Sequence, residues 1–128
     1  MRDQRGQAVS VFVAVSVVGL LLVCGLVVDG GAQAEAARRA QTAAALASRA
    51  AVDSTATARL AGNPPEAGQA VAAARQVLAA HRVEGEVSLR AGWVEVHATT
   101  RVETVFLSLI GITTLDASGS ATAELQES

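Results

Sequence analysis

The side chains able to do acid–base, redox or metal chemistry are few and scattered. His81 and His97 are the two histidines, and Cys24 is the single cysteine. Two isolated histidines do not supply the ligands a zinc site needs, and one cysteine cannot close an internal disulfide. Serines occur without the strained G-x-S-x-G turn of a nucleophile elbow. Gly30-Gly31 lacks the glycine spacing and the lysine of a phosphate loop. His81 is expected at a helix end, where a cation is favourable, and His97 on the wet face of a strand near Glu95. No acid, base and nucleophile converge, so the expectation is no enzyme, no cofactor, no metal and no small-molecule substrate. The most suggestive polar residue is Asp29, which follows a long uncharged stretch directly. A carboxylate there can cap a bend, pair with Arg38 or Arg39, or contact a neighbouring subunit.

The stretch that positions Asp29 dominates the chain. Ala8 to Val28 holds 21 residues without a charge, and fourteen of them are Val, Leu or Phe. As a helix it is about 30 Å long, the thickness of a bilayer's hydrocarbon layer. Those fourteen residues favour insertion by roughly 4–8 kcal/mol, offset in part by Ser, Gly and Cys. A soluble core helix of this length would carry a polar stripe, and this one has none. The rest of the composition agrees. The 128 residues are 51% hydrophobic, with 28 Ala, 18 Val, three aromatics and ten basic residues that are all Arg. That is too apolar for disorder and too short for a large enzyme core. A net charge of −2 argues against nucleic acid as the main partner.

The expected division is a short cytoplasmic N-terminus (1–7), a transmembrane helix (8–28), an Ala-rich extension helix (29–62) and a small α+β extracytoplasmic domain (63–128). Arg2 and Arg5 precede the span closely, Asp29 follows it, and Arg38 and Arg39 lie farther off. This favours the N-terminus inside and the body outside. Three processing schemes compete with a plain retained anchor. Signal-peptidase cleavage could follow Ala32-Gln33-Ala34, although the apolar stretch exceeds the usual h-region. Lipoprotein processing at Cys24 is disfavoured by Val23 before it. A prepilin-type cut between Gly6 and Gln7 would leave the whole apolar helix attached, although Val11 stands where such substrates carry Glu.

Beyond the span, Ala32 to Ala61 reads as a helix of strong formers. Glu35, Arg38, Arg39, Arg49 and Asp53 fall on one solvated stripe. Glu35–Arg39 and Arg49–Asp53 are i,i+4 pairs worth about 0.2–0.5 kcal/mol each. Ala32, Ala36, Ala40 and Ala44 form a small-residue row that would let a partner helix approach closely. Gly30-Gly31 is a candidate bend at the lipid edge. Gly62-Asn63-Pro64-Pro65 stops the helix and forms a linker. Glu66 to Arg82 reads as a second helix with Val71, Ala74, Leu78 and Ala67 on one side. From Glu86 the period becomes two. Val87 and Leu89 precede an Ala91-Gly92 turn, and Val94, Val96, Ala98, Thr100 and Val102 then face away from Trp93, Glu95, His97, Arg101 and Glu103. Thr113 to Leu125 alternates again as a third strand. The apolar segment 105–112, which does not alternate, reads as a short helix or crossover loop lying over the sheet, with Phe106 and Leu107 in the core. Trp93 is expected to pack at the hairpin end. The fold class is therefore α+β: a long N-terminal helix with its extension, a second short helix and an antiparallel sheet of about three strands. A body of about 66 residues has a thin core.

The order of these pieces carries a resemblance. Arg5-Gly6-Gln7 leads into a Val/Leu-rich span ending in Val27-Val28-Asp29-Gly30-Gly31. The segment Ala36-Ala37-Arg38-Arg39-Ala40-Gln41-Thr42-Ala43-Ala44 follows, then a valine-rich strand pair, then 104–112, then Ser118-Gly119-Ser120-Ala121-Thr122-Ala123. This resembles the TadE/TadG-like proteins of Tad (Flp) pilus assembly, especially the short actinobacterial type. The resemblance implies a non-enzymatic, minor pilin-like or assembly component in the cell membrane, with membrane lipid and other pilus-assembly or pilin proteins as partners. It supplies no enzymatic residues. Two alternatives stay open: a small secreted binding module released after Ala34, and a membrane-anchored envelope sensor using the Trp93, Glu95, His97 and Arg101 face.

Overall fold

The computed structural model describes residues 2–64 and 66–125. Helix α1 spans Arg2–Leu60 and α2 spans Ala67–Ala80. Strands β1 (Glu84–Arg90), β2 (Trp93–Glu103) and β3 (Thr114–Glu124) follow, with a 3-10 turn at Leu107–Ile110 between the last two. This is the expected α+β architecture of two helices and a three-stranded antiparallel sheet. Met1 of the N-terminal segment and Pro65 of the linker lie outside the described residues.

Helix α1 has 59 residues, a rod of about 90 Å at 1.5 Å per residue. Its hydrogen bonding continues through Gly30 and Gly31, so the glycine pair interrupts nothing. The two halves of the rod live in different surroundings. Every Val, Leu and Phe from Val9 to Val28 is at least 49% exposed. Among the described residues no other element covers them, and the helix is long and apolar enough to cross a membrane. From Gly25 onward one stripe turns inward. Gly25, Asp29, Ala36, Ala40, Ala44, Ala47, Ala51 and Thr55 are all buried, at helical spacings of three, four or seven residues.

Helix α2 folds back along the far end of α1 and buries Ala70, Ala74 and Leu78. The buried line includes Ala74 and Leu78 as expected. It passes through Ala70 rather than Val71, which is half-buried, and Ala67 is exposed. His81 ends the helix, its N–H donating to the Val77 carbonyl at 3.1 Å. The sheet is a simple meander in the order β1-β2-β3. Val94, Val96 and Ala98 of β2 are buried, while Glu95, His97 and Arg101 face outward. The core joins Ala40 to Ala51 of α1, Ala70 to Leu78 of α2 and the valines of β2. The alanine-rich half of α1 and the C-terminal half of the chain therefore form one packing unit.

Strand β3 lies close against α1. Gly119 faces the Ala40–Gln41 peptide so closely that a Cβ there would enter backbone atoms of both residues. The Gln41 side chain completes the strand's outer edge. Its Nε2 donates to the Ser120 carbonyl at 2.6 Å, and the Ser120 N–H donates to its Oε1 at 3.0 Å. Eight residues earlier on α1, Gln33 Nε2 donates to the Asp116 carbonyl at 2.9 Å. Eight helical residues rise about 12 Å and four strand residues about 13 Å, so the two glutamines match the strand's repeat. Both series ascend together, so β3 runs parallel to α1 and starts nearest its apolar half.

The β1–β2 hairpin turns at Ala91-Gly92, with φ of 46° and 84°. Two positive φ values mark a turn whose twist suits the strands, and alanine is strained there. Ala91→Gly should stabilise the protein by about 1 kcal/mol, read as a higher melting temperature of the detergent-solubilised chain by circular dichroism.

Candidate functional site

The most specific polar arrangement lies where the bare half of α1 meets the body. Strand β2 descends to Glu103 and β3 leaves from Thr114, so segment 104–113 hangs at the end of the sheet nearest the apolar helix. Thr104 N–H donates to the Thr113 carbonyl at 3.0 Å and closes the loop's neck. Within it, Leu109 N–H donates to the Phe106 carbonyl at 3.1 Å and Gly111 N–H to the Ser108 carbonyl at 3.2 Å. Gly111 ends the turn with φ of 89°, a value glycine adopts without steric cost.

A 3-10 turn of this kind begins with N–H groups that have no partner in the turn. Asp29 supplies the acceptor from 76 to 78 residues away. The Val105 N–H donates to its Oδ1 at 2.9 Å, and the Phe106 and Leu107 N–H groups donate to its Oδ2 at 3.1 and 2.7 Å. These are bonds to a charged acceptor, the stronger kind. Asp29 is only 2% exposed. The bond from Val105 is the largest influence holding its carboxyl below the ordinary aspartate range. Burial opposes it, and the bonds from Leu107 and Phe106 add to it. One turn earlier, Gly25 leaves room for the Phe106 side chain. A Cβ on Gly25 would stand 2.5 Å from Phe106 Cβ and 2.9 Å from its Cγ. Helix α1 thus offers a notch and a carboxylate at i and i+4, and the loop fills both.

The expected site residues are distributed as follows. Asp29 is bound to this loop. Arg38 and Arg39 are exposed, and the one ion pair among the described residues joins Arg101 to Asp116 at 3.7 Å. That pair is largely solvent-exposed and contributes little. Ala36, Ala40 and Ala44 are fully buried against the chain's own sheet and α2, and Ala32 is half-buried. The close approach that their small side chains permit is therefore intramolecular, and a second protein's helix has no access to the row. Gly6, Gln7 and Ala34 are exposed on α1. Segment 105–112 does not lie over the sheet. It docks on α1, because three unpaired N–H groups need an acceptor and Asp29 provides it. Phe106 and Leu107 are half-buried at this junction, and Trp93 is 48% exposed at the hairpin end. Among the described residues, no three His, Cys, Asp or Glu side chains come together as a metal site. Gly25, Gln33, Gln41 and the loop N–H groups were not expected at a site. The signal for them is the row Gly25, Asp29, Gln33, which continues the alanine stripe at i,i+4.

A lowered carboxyl value means that the docked state is favoured above the unfolded-state pKa and loses that support as pH falls through the folded value. In an acid titration followed by amide NMR, the Val105, Phe106 and Leu107 signals should move together, with a midpoint below the ordinary aspartate range. In Asp29→Asn they should stay constant over the same interval. Separately, Gly25→Ala should expose the loop to limited proteolysis. Phe106→Gly in the same chain, which removes both the Cβ at 2.5 Å and the ring, should recover much of the protection, a coupling expected only of residues in contact.

No curated protein and no solved structure matches the chain. One family model does, and its description reads "Putative Flp pilus-assembly TadE/G-like". The match covers residues 6–58, nearly all of α1, and includes Gly25, Asp29, Gln33 and Gln41. The resemblance read from the sequence is thus borne out along the long helix: residues 6–58 of this chain are similar to the TadE/G-like family of Flp pilus assembly.

Proposed function

We propose that the protein is a non-enzymatic, membrane-anchored component of Tad/Flp pilus assembly, minor pilin-like in build. The N-terminus lies inside and the body outside. The observation that carries this is a single unbroken helix of two characters. Its stretch from Ala8 to Val28 is uncharged and almost wholly bare, and its second half is the spine of the body. Lipid accounts for the bare half, since fourteen large apolar side chains facing water would form a patch far beyond what soluble monomers expose. The family match runs along this helix.

Retention of the span is favoured over release after Ala34. Cleavage there would remove Gly25, Asp29 and Gln33, leaving three loop N–H groups and the Asp116 carbonyl without their present partners. Contacts with other pilus proteins then fall to the bare face of the span and to the outward face of the sheet, because the alanine row is occupied.

Two measurements test the proposal. Sequencing the mature N-terminus from carbonate-washed membranes should give Met1 or Gln7, and a start at Glu35 in a soluble fraction would overturn the anchor. A photo-crosslinker at Val15, which is 65% exposed, should capture membrane proteins of the pilus system, whereas the same probe at Ala40 should yield an unfolded chain or no adduct. Loss of piliation on deletion, restored by the full chain, is the expected phenotype. Normal piliation without the gene would sink the assembly role.

A further inference from the structure

We propose that the 104–113 loop is a second membrane contact, a short apolar wedge lying in the outer lipid boundary beside the span. The inference rests on the membrane-spanning reading and deepens it. The loop's outer surface is apolar and uncovered. Val105 is 66% exposed, Leu109 83%, Ile110 61% and Ile112 42%. Residues 104–115 form twelve uncharged positions in a row, the longest such run after the span. The next longest, Ala40–Ser48, places four of its nine residues in the core. An apolar run in the body with no core to fill needs another occupant.

Position selects lipid as that occupant. The Phe106 side chain packs at Gly25, three residues before the end of the uncharged span, about 4.5 Å below it along the axis. The 3-10 turn starts at Asp29, the first residue after the span. The loop's exposed residues are therefore continuous with the bare face of α1 rather than placed on the far side of the body. The charges flanking the loop support the same level. Arg101 and Asp116 pair across β2 and β3, and the Asp116 carbonyl meets Gln33, one turn farther from the span than Asp29. Glu103, exposed and directly before the loop, stands opposite Thr114. Apolar groups thus sit at the lipid level, and Glu103 with the Arg101–Asp116 pair sits just above them. That is the profile of an interfacial segment, whose apolar side chains enter the boundary between headgroups and acyl chains.

Tryptophan fluorescence of the full chain in phosphatidylcholine vesicles tests this. The native Trp93 lies ten residues up β2 from Glu103, about 33 Å away, and reports the far end of the body. In a Trp93→Phe background, Leu109→Trp should show a blue shift relative to native Trp93 and protection from iodide. It should also lose intensity more to a nitroxide near the headgroup than to one at the acyl-chain end. Ile110→Trp should behave alike, so the result does not hang on one variant folding. Val15→Trp in the same background should respond most to the deep nitroxide. If the loop probes are quenched by iodide as strongly as Trp93 while Val15→Trp reports lipid, the wedge is wrong and the span stands. Shielding from both iodide and nitroxide lipids would mean that protein covers the loop, which also overturns the wedge. A Val15→Trp signal indifferent to both nitroxides would remove the membrane-spanning reading itself.

Discussion

Along one stripe of α1, from Gly25 to Thr55, no side chain is both large and apolar, and this constraint sets where everything else sits. A methyl group or a hydrogen on the helix lets β3 and α2 approach until backbone nearly meets backbone, as at Gly119 over Ala40 and Gln41. Close packing of this kind yields many weak contacts and little buried area per residue. The largest fully buried side chains are Val94, Val96 and Asp29. With so little bulk in the core, position along the rod has to come from directed bonds. Gln41, Gln33 and Asp29 provide them at three successive heights, each accepting from or donating to backbone that would otherwise lack a partner. The buried hydroxyls of Ser48 and Thr55 are satisfied locally, through carbonyls three residues back.

The same stripe explains why the rod can serve two solvents. From Ala8 to Cys24 all sides of α1 are uncharged and equivalent, which suits a helix surrounded by lipid. After Asp29 the faces differ: the outer one carries Glu35, Arg38, Arg39, Arg49 and Asp53, and the inner one holds alanine. The change takes place over the single turn from Gly25 to Asp29, where the loop is docked. Asp29 tolerates burial at this edge because three N–H groups replace the water it loses.

Much of this was legible in the residues. The long apolar helix follows from an uncharged run of membrane length. The helix end follows from Gly62-Asn63-Pro64, and the three strands from a period of two with the Ala91-Gly92 turn between the first pair. The small-residue row at Ala32, Ala36, Ala40 and Ala44 was also legible as a site of close approach. Its partner was not, because a methyl stripe admits a strand as readily as a helix and periodicity carries no information about which. Segment 105–112 was misplaced for a related reason. Its apolar residues say that it avoids water, but its anchor is a set of backbone N–H groups, which every non-proline residue possesses. Asp29 stood out as an isolated carboxylate at the end of an apolar run. What it binds is some 76 residues away, and only the meander's topology brings the two together. Gly25 gave still less away, since a glycine in an apolar helix looks like any other until a phenyl ring is found against it.

One feature of the rod has mechanical weight. Gly30 and Gly31 are the one adjacent pair among the five glycines of α1, each costing about 1 kcal/mol relative to alanine, and they stand between Asp29 and Gln33. On both sides of that pair a side chain of α1 is tied to the C-terminal half of the chain, so the weakest joint is splinted. While the splint holds, a tug or twist applied to the bare apolar half would travel undamped into the sheet. Without the Asp29 and Gln33 bonds, the glycine pair would be the most compliant joint between the apolar half and the body.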